Sequence, residues 1–118
     1  MKVLLIGASD KPERYSYKAI NMLTNHNHSV TAVSIKKGSV AGIEFVKDIP
    51  KNEEFDTVTL YINPKLQEQY YQEVIDLKPR RVIFNPGTEN EEFQSLLKEN
   101  NIEPVEACTL VMLTIGTF

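Results

Sequence analysis

Short apolar runs alternate with helix-patterned segments along this chain of 118 residues, and that alternation constrains the fold most. The runs are rich in Val, Ile or Leu and bounded by polar or turn residues, which predicts strands. They are Lys2–Ile6, Ser29–Ile35, Thr57–Ile62, Arg80–Phe84 and Glu103–Ala107. Strands that alternate with helices are joined by right-handed crossovers, with helices on both faces of a parallel sheet. The pattern therefore predicts one α/β domain over residues 1–118, a three-layer doubly wound fold with a mainly parallel sheet of roughly five to six strands.

Helical patterns fill the gaps between these runs. The clearest helix is predicted over Pro64–Leu77, and Asn63 suits its N-cap. The apolar residues that recur at helical spacing on one face of it are Leu66, Tyr70, Val74 and Leu77. Proline at the first helical position supports this start. An earlier helix is predicted over Tyr17–His26, with Ser16 as its N-cap.

Thr88, with Glu91 three residues later, has the sequence of a capping box and predicts the start of another helix.

The stretch Val40–Phe55 breaks the alternation, since it holds only the short apolar run Ile43–Val46, and we expect a short edge strand and a loop there. In the common doubly wound order the chain then crosses back and places Thr57–Ile62 beside the first strand. Ligands bind in the resulting crevice, outside the carboxyl ends of the strands.

The loop after the first strand has the position of a phosphate loop but an unusual composition. The dinucleotide fingerprint uses three glycines so that a pyrophosphate can approach the backbone, whereas only Gly7 remains here. Side chains supply donors and positive charge instead, and they are Ser9, Lys11, Arg14 and Ser16. The N-terminus of the following helix adds its dipole. We therefore predict a phosphate site that depends on side chains.

The second strand runs into Ile35, Lys36 and Lys37, where an NAD enzyme places an acidic residue for the ribose hydroxyls. A cation at this point suits a phosphorylated ribose, as in NADP or the 3′-phosphate of coenzyme A. The alternative is a solvated pair of surface lysines.

Two further strand ends carry the dipeptide Asn-Pro, at Asn63 and at Asn85. Proline stops each strand and leaves backbone groups pointing into the crevice. Simple capping is the favoured interpretation for Asn63. Capping and ligand contact are both open for Asn85, which precedes the longer Pro86-Gly87 loop.

The composition excludes several classes of function. A net charge of −3 gives no global attraction to nucleic acid or anionic lipid, and no apolar run reaches the length of a membrane span. We therefore predict no nucleic-acid or membrane partner and, since no signal sequence is recognisable, a cytoplasmic location. The single cysteine, Cys108, excludes an intramolecular disulfide and any CxxC motif.

Several of these features together resemble a known family. They are Gly7-Ala8-Ser9 with Pro12, Arg14 and Ser16, the strand ends Val33–Gly38, Asp56–Pro64 and Val82–Gly87, and Cys108. Over essentially its whole length the chain resembles the small stand-alone CoA-binding proteins related to the N-terminal domain of the succinyl-CoA synthetase α subunit. That family usually has Asn-Cys-Pro or Arg-Cys-Pro at the last strand end, whereas this chain has Ala107-Cys108-Thr109.

The resemblance implies a Rossmann-like fold with coenzyme A or an acyl-CoA as its ligand. It implies that the first loop holds the CoA phosphates, that Lys37 contacts CoA, and that Ile62–Pro64 and Phe84–Pro86 flank the ligand. The candidate cofactor-binding residues are therefore Gly7, Ala8, Ser9, Lys11, Arg14, Ser16, Ile35, Lys37, Ile62, Asn63, Pro64, Phe84, Asn85, Pro86 and Gly87.

No catalytic residue is predicted. Cys108 follows the last strand, but His26 and His28 precede the second strand at the opposite rim, so no Cys-His dyad forms within one subunit. A buried structural cysteine and solvent-facing histidines are favoured, and two histidines do not suffice for a metal site. The phosphorylated histidine of the synthetases belongs to a second domain, so the resemblance implies no ligase activity.

Three functions are compatible with the sequence. The favoured one is a binding or sensor module for coenzyme A or an acyl-CoA without its own catalysis. One alternative is an NADP-binding, oxidoreductase-like domain, although no proton donor or substrate pocket is recognisable. The other is a ligand-free scaffold that pairs with a second copy or a partner subunit through the apolar segment Thr109–Ile115, which is either a packed tail or a dimer contact.

Overall fold

The computed structural model describes residues 1–118 and contains a five-stranded sheet in which all neighbouring strands are parallel. The strands in chain order are β1 (Lys2–Ile6), β2 (Ser29–Val33), β3 (Ser39–Val40), β4 (Ile43–Glu44), β5 (Thr57–Leu60), β6 (Arg81–Phe84) and β7 (Glu103–Glu106). Strands β3 and β4 form a separate antiparallel hairpin, and the other five have the order β2-β1-β5-β6-β7. The predicted doubly wound α/β fold, with the third main strand beside the first, is confirmed.

Helices cover both faces of the sheet. In chain order they are α1 (Tyr15–Asn25), α2 (Pro64–Gln67), α3 (Tyr71–Leu77), α4 (Glu91–Glu99) and α5 (Thr109–Ile115), with a 3₁₀ turn at Glu68–Tyr70 between α2 and α3. Helices α1 and α5 contribute to one hydrophobic core, and α3 and α4 contribute to the other. None of the helices is long and apolar enough to cross a membrane.

Strand β1 divides its side chains between the two cores. Val3 and Leu5 pack in the core with α1, whereas Leu4 and Ile6 pack in the core with α3 and α4. Successive side chains of a strand point to opposite faces, and all four are at most 1% exposed. This burial explains why a central parallel strand is apolar throughout rather than alternating.

The second strand is shorter than its apolar run predicts. It ends at Val33 rather than Ile35, and the carbonyl oxygen of Val33 accepts the backbone N–H groups of Gly7 and Ala8 at 3.0 and 2.9 Å. The loop after β1 thereby closes over the end of β2. Strands β5, β6 and β7 are likewise one or two residues shorter than their predicted runs.

The structure confirms one predicted N-cap and corrects another. The Oδ1 of Asn63 accepts the Leu66 N–H at 3.1 Å, as expected for the start of α2. Ser16 is not an N-cap, because α1 begins at Tyr15 and Arg14 occupies the N-cap position. The extended backbone therefore turns into the helix two residues earlier than predicted.

The predicted capping box at Thr88 and Glu91 is also wrong. Helix α4 begins at Glu91, and its N-cap is Asn90, whose Oδ1 accepts the Phe93 N–H at 3.1 Å. The hydroxyl of Thr88 instead donates to the Asn85 carbonyl oxygen at 2.7 Å. Thr88 therefore stabilises the preceding turn rather than the helix.

The apolar segment Thr109–Ile115 forms a helix, α5, which the sequence did not predict. Met112 and Leu113 are 8% and 4% exposed, and Leu113 packs in the core that includes α1. The segment therefore packs on its own chain, as the first of the two predicted alternatives requires. Val111 and Ile115 remain exposed on its outer side.

Candidate functional site

A cleft of about 600 Å³ lies at the carboxyl ends of β1, β2, β5 and β6. Its walls come from the loops that follow these strands, from Phe45 just after β4, and from α1, α2 and the 3₁₀ turn. The order of the sheet reverses between β1 and β5, so the cleft occupies the switch point at which doubly wound sheets bind ligands. Its volume falls within the range of small-molecule sites.

Most of the predicted site residues line this cleft. They are Gly7, Ala8, Ser9, Lys11, Arg14, Ser16, Ile35, Lys37, Ile62, Asn63, Pro86 and Gly87. The remaining lining residues were not predicted, and they are Asp10, Tyr15, Ser34, Lys36, Phe45, Tyr61, Leu66, Gln69, Tyr70 and Thr88. Phe45 had a usable signal, because it lies in the short apolar run of the predicted edge strand.

The glycine that opens the phosphate loop is required by its surroundings. Gly7 has a φ of +100°, and a Cβ atom there would lie 2.6 Å from Ile62 Cγ2 and 2.8 Å from the Tyr61 carbonyl carbon. Only a residue without a side chain can pass this close to the end of β5 in that conformation. Gly7 therefore allows the loop to turn across the sheet and form the floor of the cleft.

The N-terminus of α1 faces the cleft without a side-chain cap. Arg14 makes no capping hydrogen bond, and the first turn contains no acidic residue. Tyr15 and Ser16 of this turn line the cleft, and the Ser16 side chain is buried at 5% exposure. Backbone N–H groups and the helix dipole at such an end favour an anion.

Four cations line the same end of the cleft, namely Lys11, Arg14, Lys36 and Lys37. None of them forms an ion pair, since the salt bridges of the protein are Lys2–Glu53 and Arg80–Asp56. One carboxylate, that of Asp10, also lines the cleft. The local charge is therefore positive, although the net charge of the chain is −3.

Both lysines that follow β2 reach the cleft. Neighbouring residues of a strand point to opposite faces of the sheet, but β2 ends at Val33. Lys36 and Lys37 lie beyond the strand, so both can line the cleft. The two side chains are exposed, so they could also be solvated. Their position at the cleft favours an anionic ligand over a simple surface pair.

Three predicted site residues do not line the cleft. Pro64 is exposed at the start of α2, and Phe84 is 1% exposed in the core, where its ring meets that of Phe93 edge to face at 5.7 Å. Asn85 is 2% exposed beneath the floor. Side-chain contact between Phe84 or Asn85 and a ligand is therefore not supported.

Asn85 connects three elements below the cleft. Its Nδ2 donates to Thr59 Oγ1 at 2.7 Å and to the Leu60 carbonyl oxygen at 2.8 Å, and its Oδ1 accepts the Thr109 N–H at 2.8 Å. These bonds tie β5, the end of β6 and the start of α5 together. The role of the Asn85 side chain is therefore structural, as a link between three elements, and differs from both the simple capping and the ligand contact considered from the sequence.

Gln67 holds two walls of the cleft at a fixed separation. It is fully buried, and its Nε2 donates to the carbonyl oxygens of Ile62 and Thr88 at 3.0 and 2.8 Å. Its Oε1 accepts a hydrogen bond from Nδ2 of Asn90 at 3.0 Å, so both N–H donors and the oxygen of the Gln67 amide have partners. The cleft is thus held in shape by a buried polar network.

Two of the three tyrosines that line the cleft are held in their neutral form by burial. Burial raises the pKa of Tyr61 and that of Tyr70 above the ordinary value for tyrosine. Both phenols are therefore uncharged at neutral pH, and the hydroxyl of Tyr61 is buried.

Cysteine and histidine lie outside the cleft. Cys108 is a free, half-buried thiol at the N-cap of α5, which corrects the expectation that it is buried. His28 is half-buried rather than solvent-facing, with its Nδ1 3.1 Å from the Met1 amino nitrogen and its ring against Phe118. Burial is the main cause that lowers the pKa of His28. No group of three or more His, Cys, Asp or Glu residues is placed to hold a metal ion.

Comparison with known proteins agrees with this architecture. An uncharacterized protein of known crystal structure is 52% identical, with a TM-score of 0.96 over 99% of this chain and 97% of its own. A hypothetical protein from Pyrococcus horikoshii is 29% identical, with a TM-score of 0.83 over 92% of this chain and 78% of its own. A Thermus thermophilus protein at 24% identity shares the fold, with a TM-score of 0.87 over 99% of this chain and 90% of its own.

The family assignment rests on a match along nearly the whole chain. The sequence model of the CoA binding domain matches residues 1–114, which include every strand and all residues of the cleft. The resemblance noted in the sequence is therefore confirmed. This chain belongs to the CoA-binding domain family.

Proposed function

We propose that this protein binds coenzyme A or an acyl-CoA in the cleft and serves as a binding or sensor module without a reaction of its own. The observation that carries the proposal is the coincidence of four unpaired cations with the uncapped N-terminus of α1. Coenzyme A carries a diphosphate and a ribose 3′-phosphate, so it supplies the negative charge that this end of the cleft lacks.

The diphosphate belongs at the loop after β1. Ser9, Lys11, Arg14 and Ser16 line this part of the cleft, next to the free N–H groups of α1. Charged side chains and helix N-termini bind phosphate oxygens through short, charge-assisted hydrogen bonds. Lys37, beyond the end of β2, is the residue proposed for the ribose 3′-phosphate.

The absence of catalysis in the proposal rests on the side chains available. The cleft contains no cysteine or histidine, and burial raises the pKa of two of its tyrosines, Tyr61 and Tyr70. A nucleophile activated by an adjacent base requires such a pair within hydrogen-bond reach. The groups present bind and orient phosphates rather than move protons.

Thermal unfolding with different nucleotides tests the ligand. At about 100 times its dissociation constant, coenzyme A should stabilise the protein by about 2.7 kcal/mol, which raises the melting temperature by roughly 10 °C for a domain of this size. NAD should have little effect, because its adenosine ribose carries no 2′- or 3′-phosphate for the lysines after β2.

NADP is the discriminating control, since it also carries a ribose phosphate. A larger shift with NADP than with coenzyme A would favour the oxidoreductase-like alternative. No shift with any of the three nucleotides would favour a ligand-free scaffold.

A further inference from the structure

One carboxylate lies among the cations of the cleft. Asp10, an exposed residue in the loop after β1, lines the cleft together with Lys11, Arg14, Lys36 and Lys37. None of the salt bridges of the protein includes Asp10. A carboxylate weakens a site built for phosphate oxygens alone, because it repels them. A cationic cleft that keeps one carboxylate suits a ligand that has a hydrogen-bond donor beside its phosphates.

The Asp10 carboxylate reaches the loop after β2. Gly38 directly follows Lys37 in that loop. A Cβ atom added to Gly38 would lie 3.0 Å from Asp10 Oδ2 and 2.9 Å from Phe45 Cε2, so a side chain there would collide with both groups. The carbonyl oxygen of Gly38 accepts the Phe45 N–H at 2.9 Å, which fixes the backbone at this point. The glycine therefore leaves the space beside Lys37 to the carboxylate of Asp10.

Doubly wound sheets that bind nucleotides read a ribose at this position. In such folds the diphosphate lies at the turn after the first strand, and an acidic residue at the end of the second strand accepts the ribose 2′-hydroxyl. In this chain the loop after β2 carries Lys36 and Lys37 instead, and the loop after β1 brings a carboxylate to it. Asp10 thus supplies, from a different loop, the acidic group that the end of β2 lacks.

The same end of the cleft offers apolar surface for a base. Ile35 is 80% exposed and Phe45 is half-buried, and both line the cleft. A planar base that covers these side chains removes their apolar surface from water. With the diphosphate at the loop after β1, the neighbouring end of β2 takes the nucleoside, and the pantetheine arm leaves towards β5 and β6.

We infer that Asp10 accepts the free 2′-hydroxyl of the adenosine ribose while Lys37 binds its 3′-phosphate, so that the cleft selects 3′-phosphorylated over 2′-phosphorylated adenine nucleotides. The inference rests on the proposed function and adds the source of its selectivity. A hydroxyl donates a hydrogen bond to the carboxylate, whereas a phosphate in the same place sets negative charge against negative charge. Coenzyme A satisfies both residues, and NADP, with its phosphate at the 2′ position, does not.

Adenosine 3′,5′-bisphosphate and adenosine 2′,5′-bisphosphate test the inference, because they differ only in the ribose position of one phosphate. Calorimetry measures their affinities by displacement of bound coenzyme A. The wild type should prefer the 3′,5′ isomer by about tenfold or more, the scale of one hydrogen bond to a charged group. Asp10→Asn should lower this ratio by about fivefold or more. A general change in the attraction of anions affects both isomers alike and leaves the ratio unchanged.

Glu13→Gln is the matched control, because Glu13 is an exposed acidic residue of the same loop that does not line the cleft. It removes the same charge and should keep the wild-type ratio. An unchanged ratio in Asp10→Asn, or an equal loss in Glu13→Gln, would overturn the inference. Equal affinity of the two isomers for the wild type, or bound coenzyme A that neither isomer displaces, would overturn it and leave the proposed function intact. No binding of coenzyme A would overturn the proposed function as well.

Discussion

Gly7→Ala should lower the free energy of unfolding by about 3 kcal/mol and weaken ligand binding with it. At a φ of +100° the backbone of a residue with a side chain is strained, and this strain costs about 1 to 2 kcal/mol. The new Cβ would also lie 2.6 Å from Ile62 Cγ2 and 2.8 Å from the Tyr61 carbonyl carbon, and relief of such overlap costs about 1 to 3 kcal/mol. Urea or thermal unfolding measures the sum.

Gly87→Ala separates the two contributions. Gly87 has a similar φ of +91°, but an added Cβ there would have no atom within 4 Å. Its substitution should therefore cost only the backbone strain. Equal losses for the two variants would mean that β5 yields freely to the added methyl group, and that Gly7 is not a steric requirement of the loop.

Asn85→Ala should lower the free energy of unfolding by about 3 kcal/mol. The substitution removes three hydrogen bonds and leaves the buried Thr109 N–H and Leu60 carbonyl group without that partner. A buried polar group that loses its partner costs about 1 to 3 kcal/mol.

Asn63→Ala is the matched comparison, because Asn63 is an exposed asparagine that caps α2 with one side-chain bond. Loss of such a cap costs about 1 kcal/mol. If denaturant unfolding gave the two asparagine variants the same small loss, the structural role assigned to Asn85 would be wrong, and contact with a ligand would again be open for it.

The main sheet could be predicted from sequence because its strands are covered on both faces. Central strand β1 is a nearly continuous apolar run, and β5, although Thr57 and Thr59 alternate with its apolar residues, is buried along its whole length. The alternation of such strands with helices then predicts the parallel topology.

The first residues of the helices were harder to predict from the sequence. Thr88 and Asn90 are both good N-caps by residue type, and Asn90 is the cap in a structure where its amide also bonds Gln67 and Tyr71. Those partners lie about twenty residues away, where no local pattern reveals them.

The part of the cleft formed by the loops after the strands could be predicted, because those loops carry phosphate-binding side chains. The part formed by α2 and the 3₁₀ turn was not predicted. Helical spacing placed Leu66 on the same apolar stripe as Val74, which is fully buried. The 3₁₀ turn at Glu68–Tyr70 interrupts that stripe. A 3₁₀ turn advances about 120° per residue rather than 100°, so three such residues shift the helical phase by about 60°. Leu66 therefore lies at the cleft and not in the core.

Recognition of coenzyme A through its phosphates is tested most directly at Lys37. Calorimetry should give a wild-type preference for coenzyme A over dephospho-CoA of about 5- to 30-fold, the scale of one charge-assisted contact at an exposed rim. Lys37→Ala should bring that ratio close to one, since pairing the residue change with the ligand change isolates their coupling. Lys51 is an exposed lysine that does not line the cleft. Lys51→Ala also removes one positive charge, and it should keep the wild-type preference for coenzyme A over dephospho-CoA. An unchanged ratio in Lys37→Ala, or no discrimination in the wild type, would contradict the account.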